Sequence, residues 1–146
     1  MQERIEEMFA KMYPMTDGLK KKSYDKWMAE FREKHGQTFQ EMAVAVEQSE
    51  NRAEEAKNIA GMFADVVEHQ FSKRGKISAP RQVDINSFMI YYVFPTILLT
   101  QSECAVLLAD ALRDEWRRRF RNSSQLAYTD YETIRGSFNE KIMGMF

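Results

Sequence analysis

The chain has 146 residues, 44% hydrophobic and 29% charged, which is room for one domain over residues 1–146 with one core. Its 6 glycines and 3 prolines are too few for a turn-rich all-β fold or a disordered linker. The single cysteine excludes an internal disulfide, the 2 histidines leave a structural zinc site short of ligands, and a formal charge of -1 gives no global field toward nucleic acid or an anionic membrane.

The opening residues, MQERIEEMFAKMYP, are charged from Glu3 onward. They lack the apolar run of a secretory signal, so the expected location is the cytoplasm. Ile5, Met8, Phe9 and Met12 share one helical face, and Tyr13-Pro14 and Asp17-Gly18 interrupt it. Tyr24, Trp27, Met28 and Phe31 mark a second helix, for which Gly36 is the expected stop.

Three T-x-x-E boxes follow: Thr38 with Glu41, Thr100 with Glu103, and Thr129 with Glu132. In each, the threonine oxygen can accept from the third helical N–H while the glutamate reaches back to the cap N–H, so each predicts a helix start. Asp84 before Ile85 is a fourth expected cap. From Thr38, steps of three and four run through Phe39, Met42, Val46, Ser49, Ala53, Ala56, Ala60, Phe63, Val67 and Gln70. That seam predicts one long helix over about 38–71. Such a helix is about 50 Å long at about 1.5 Å per residue, more than a compact domain of this size spans. The middle of the seam is small, at Ser49, Ala53 and Ala56, and charged residues flank it. Small seam residues let a partner backbone come close. The expected partner is either the aromatic stretch between Phe88 and Phe94 or a second copy of the helix.

Residues 72–83 read as a basic loop with Gly75 and Pro80 and no acid of its own. Residues 85–99 are the most apolar stretch. They are shorter than the about 20 residues of a membrane span, so no membrane association is expected, and they predict a central helix kinked or broken at Pro95. The next helix, over about 101–121, is apolar through Leu112 and then turns only Trp116 and Phe120 inward. The last carries Tyr131, Ile134, Phe138, Ile142 and Met145 on one stripe. No strand alternation and no repeat is found. The expectation is an all-α bundle of five or six helices.

Chemistry-bearing patterns are sparse. Arg32 and Val66 stand three residues before His35 and His69, so the Glu-x-x-His pair of di-iron bundles is absent, as is H-E-x-x-H. Asp65 and His69 lie one turn apart but on the solvent side of the seam. Glu47, Glu50 and Glu54 read as a solvated face. Cys104 reads as a small buried hydrophobe. Neither a G-x-S-x-G elbow nor a phosphate-cradling glycine loop occurs. No catalytic residue, metal or cofactor is therefore assigned.

Three functional expectations remain. The first is a non-enzymatic cytoplasmic interaction module that self-associates, or binds another helical protein, through Ser49, Ala53 and Ala56. The second is an internal pocket for an apolar ligand near Tyr91, Tyr92, Cys104 and Trp116, where Pro95 frees a carbonyl that must find a partner. The third is a phosphate-binding face of Arg113, Arg117 and Arg121 at i+4 steps. Asp110, Asp114 and Glu115 precede those arginines in the order that favours intrahelical pairs, so nucleic acid is not the expected partner.

Overall fold

The computed structural model describes residues 1–13 and 21–120. The fold is all-α, and no strand occurs among the described residues. The helices are α1 (Gln2–Ala10), α2 (Lys21–Gln48), α3 (Arg52–Phe71), α4 (Ala79–Phe88), α5 (Phe94–Leu98) and α6 (Ala105–Arg119). A π-helical segment, Met89–Val93, joins α4 to α5 in one rod. The predicted C-terminal helix, the Thr129 box and Arg121 lie outside the described residues, as does the Pro14–Gly18 interruption.

α1 buries Ile5, Met8 and Phe9, the stripe its spacing predicts. Phe9 sits edge-on to Phe63, Phe71 and Phe88 with ring centroids 5.7, 6.1 and 5.0 Å away. Tyr13 follows it into the core, against Trp27, Phe31 and Tyr92. Its hydroxyl donates to Glu30 Oε1 at 3.3 Å, and the Lys11 ammonium meets the same oxygen at 3.0 Å.

α2 corrects two expectations. Gly36 does not end the helix, and Thr38 does not begin one, because α2 runs unbroken through both. The buried stripe explains why: Tyr24, Met28, Phe31, His35, Phe39, Met42 and Val46 continue at steps of three and four across the glycine. The packing of that face outweighs the cost of one interior glycine, roughly 1 kcal/mol. Thr38 is buried in mid-helix, 5% exposed, rather than capping an end.

The predicted 38–71 helix is instead two helices with a break at residues 49–51. Ser49 N–H still reaches Val46 O at 3.2 Å, and the chain then turns. Asn51, with extended backbone, caps α3: its side chain accepts from the Glu54 N–H at 3.2 Å. Glu54 and Glu55 in the first turn suit the positive end of the helix dipole. The turn is tied to the segment that precedes α6 by Arg52, which pairs with Glu103 at 2.8 Å.

α3 ends at Ser72, whose N–H bonds Glu68 O at 2.8 Å. Lys73 and Lys76 then exchange backbone hydrogen bonds of 2.8 and 3.1 Å around Arg74 (φ 54°) and Gly75 (φ 78°). Two central residues with positive φ make this a type I′ turn, and Gly75 supplies one of them without steric cost. The expected basic loop over 72–83 is accordingly shorter, because α4 begins at Ala79. Ser78 is its cap, not Asp84, and Pro80 lies in its first turn, where a missing N–H costs nothing.

The rod from α4 through α5 is the apolar centre expected from the sequence. Pro95 does not break it, since helical structure continues through α5. The turn before it widens to i→i−5 bonding, with Phe94 N–H on Met89 O. Thr100 does not start α6. Its hydroxyl donates to Ile97 O at 2.7 Å, and the helix begins after Cys104, whose N–H bonds Ser102 Oγ at 3.1 Å. α6 buries Ala105, Leu108, Ala109, Leu112 and Trp116, mostly against α3. The buried side chains form one continuous cluster.

Candidate functional site

Tyr91, Tyr92, Cys104 and Trp116 all belong to the core or pack against it. Tyr92, Cys104 and Trp116 are buried, and Tyr91 is half-buried. The carbonyl that Pro95 leaves without a helical N–H belongs to Tyr91, four residues back, and the Tyr24 hydroxyl donates to it at 2.8 Å. Thr96 Oγ1 donates to the Tyr92 carbonyl at 2.7 Å. Trp116 Nε1–H donates to Asn86 Oδ1 at 3.2 Å, and both residues are fully buried. Burial raises the Tyr24 and Tyr92 hydroxyls well above their usual pKa, so both stay protonated donors. The rings of Phe31, Phe88 and Tyr13 fill the space around Tyr92, at centroid distances of 5.6, 5.5 and 5.5 Å.

The three small residues of the predicted seam separate. Ser49 shapes the turn between α2 and α3, its hydroxyl meeting both the N–H and the C=O of Asn51 at 3.2 Å. Ala56 is fully buried within the chain. Ala53 alone is exposed. It lies with Leu107 and Ala111 in a groove of about 400 Å³ between α3 and α6. Lys57 and Arg118 place positive charge on the rim of the groove; Asp110, Asp114 and Glu115 place negative charge there. Burial holds the Asp110 carboxyl above the usual carboxylate range. Val106, one turn before Asp110, is 40% exposed.

Leu107 and Ala111 carry no clear sign of exposure in the sequence. Residues 104–112 are apolar on most sides, so their pattern does not say which side faces out. The usable signal is the i, i+4 step from Leu107 through Ala111 to Glu115, an apolar line that ends in charge.

The arginine face is largely neutralised. Arg113 lies 3.4 Å from Asp114 and 4.0 Å from Asp110. Arg119 is held by Asp65, by Glu68 at 3.4 Å and by Glu115 at 2.8 Å, and Arg118 also pairs with Glu115. Arg117 is exposed. Asp65 thus serves Arg119 on α6, while His69, one turn on, is exposed. Glu47, Glu50 and Glu54 do not share a helix, because the 49–51 turn divides them. No group of three or more His, Cys, Asp or Glu side chains able to hold a metal ion occurs among the described residues. No helix among them is long and apolar enough to cross a membrane.

Comparison with protein-family models, curated proteins and solved structures finds no match.

Proposed function

We propose that this bundle is a protein–protein interaction module that associates with a second copy of itself along the outer face of α3 and α6. The observation that carries the reading is the groove of Ala53, Leu107 and Ala111, an apolar floor between rims of both signs. Small residues on the floor admit a facing helix closely. An isologous contact sets the same patch against itself, so charges of both signs are available across the pair of copies. The mixed rim favours this occupant over a uniformly charged partner such as nucleic acid.

The test is the mass in solution by native mass spectrometry, for the wild-type chain and for Ala53→Glu. Ala53 is exposed, so the substitution leaves the core intact while placing a charge on the groove floor. A multiple of the protomer mass in the wild type that falls toward the protomer in the variant is expected. A wild-type monomer, or an oligomer indifferent to the substitution, overturns the reading.

A further inference from the structure

The residues that follow α1 and the first half of α2 form a small cage. The rings of Tyr13 and Trp27 have centroids 5.8 Å apart and are inclined at 62°. The Lys11 ammonium lies over both, 4.9 Å from the Tyr13 centroid and 5.1 Å from that of Trp27. Its third neighbour is the Glu30 carboxylate, whose Oε1 accepts from it at 3.0 Å. The Tyr13 hydroxyl donates to the same oxygen at 3.3 Å, so the ring that forms one wall also fixes the carboxylate. The hydrogen bond from Lys11 holds the Glu30 carboxyl below its usual range, which keeps it anionic at neutral pH. The Lys26 ammonium also reaches the Trp27 ring, at 5.5 Å.

Two aromatic faces and a carboxylate around one point select a cation, because each presents negative charge. The present occupant is loosely held. A lysine ammonium is a compact, strongly hydrated charge, and the Lys11 side chain is 54% exposed and that of Glu30 40%. Lys11 stands just past the last residue of α1 on extended backbone, so its side chain can withdraw into solvent without unwinding the helix. The walls differ in this respect. Tyr13 is buried against Phe31 and Tyr92, and Trp27 packs against the core. The core holds the walls and leaves the occupant exchangeable.

We propose that this cage binds a methylated ammonium ion, which takes the place of the Lys11 side chain. Its methyl groups face the rings of Tyr13 and Trp27, and its charge lies beside Glu30. Methyl groups spread the charge over an apolar surface, which suits ring faces better than N–H groups that water already serves. The cage shares no residue with the α3–α6 groove, so the proposal does not rest on self-association.

The probe is choline, titrated into the full chain by calorimetry at millimolar concentration. Its neutral isostere, the alcohol with a tert-butyl group in place of trimethylammonium, controls for charge. Saturable choline binding is expected, about tenfold tighter in Lys11→Ala, which removes the tethered competitor, and about tenfold weaker in Trp27→Leu. Lys11 is exposed, so its variant keeps the test alive should the Trp27 variant fail to fold. Absence of saturable choline binding in Lys11→Ala means that the cage serves only to hold Lys11, and overturns the proposal. The neutral alcohol binding as tightly as choline, choline affinity not raised by Lys11→Ala, or affinity unchanged in a folded Trp27→Leu each overturns it as well.

Discussion

The Tyr24 hydroxyl on α2 donates to the backbone carbonyl of Tyr91 at 2.8 Å, and Tyr91 is the residue whose carbonyl faces Pro95 one turn on. A proline in the apolar centre of a bundle leaves one buried acceptor in need of a donor. Here the donor comes from another helix, so a feature local to one rod is settled by the packing of two.

That relationship predicts the behaviour of Tyr24→Phe. The ring stays in place against Tyr92, at a centroid distance of 5.8 Å, and only the donor is lost. The expected loss is about 1 kcal/mol, that of a part-buried hydrogen bond. It is read as a lower urea midpoint at unchanged slope. In a Pro95→Ala background the restored N–H can serve the same carbonyl, so the tyrosine substitution should cost less there, by about 1 kcal/mol of coupling. Additive effects in the double-mutant cycle contradict the assignment.

Gly36 offers a stabilising substitution. It lies inside α2, and a Cβ built on it meets nothing within 4 Å. Gly36→Ala should raise stability by about 0.5–1 kcal/mol, by cutting the entropy of the unfolded chain and raising helix propensity. The melting temperature should rise by a few degrees. Gly75→Ala should do the reverse, since its φ of 78° is one that an alanine rarely adopts. A melting temperature that falls in Gly36→Ala argues against a continuous α2.

Stability should fall at both ends of the pH scale, for opposite reasons. Burial, and then Lys34, hold the His35 imidazole below its ordinary 6.5, with Glu7 acting in the other direction. Below 6.5 the unfolded chain takes up a proton that the folded chain resists. The stability present above pH 6.5 is therefore lost as pH falls toward the folded pKa. Burial raises the Tyr24 and Tyr92 hydroxyls above their ordinary 10.0. Their contribution is full below pH 10.0 and is lost as pH rises past it, when the unfolded chain ionises first. Urea midpoints measured across pH should show a plateau between these limits. His35→Gln should flatten the decline just below pH 6.5 and leave the alkaline one in place; an unchanged acid limb excludes His35 as its source.

The apolar stripes of this chain are legible in its sequence because helical packing writes them at fixed spacing. Ile5, Met8 and Phe9, and Tyr24 through Phe31, fall where the period puts them. Helix ends are less legible because the same residues occur at ends and in interiors. Gly36 and the Thr38–Glu41 box match an end, yet the stripe on either side of them lies in one plane and the core holds it together. The reverse happens at Ser49–Asn51. Small and polar residues extend an apolar period without contradicting it, so a turn passes for a narrow stretch of seam. The local sign of that turn is Asn51 with Glu54 three residues on, a capping pattern that a seam argument overlooks. The groove at Ala53 was partly legible, since the residue was singled out as an interface. Its other wall depends on which face α6 turns outward, and that is decided by where Trp116 and Asn86 meet.

The widened turn at Met89–Val93 also sets an angle. An α-helix advances by about 100° per residue, so one residue spent on a wider turn rotates everything after it by about that much around the axis. Downstream of that offset, Phe94, Pro95, Thr96 and Ile97 are all buried in succession, a full circumference of side chains with no wet side. Removing a single residue from this segment would wind the rod back into phase with α4, and the four would turn together. The geometry of the centre is thus a matter of chain length counted to one residue, and hydrophobicity alone does not encode it.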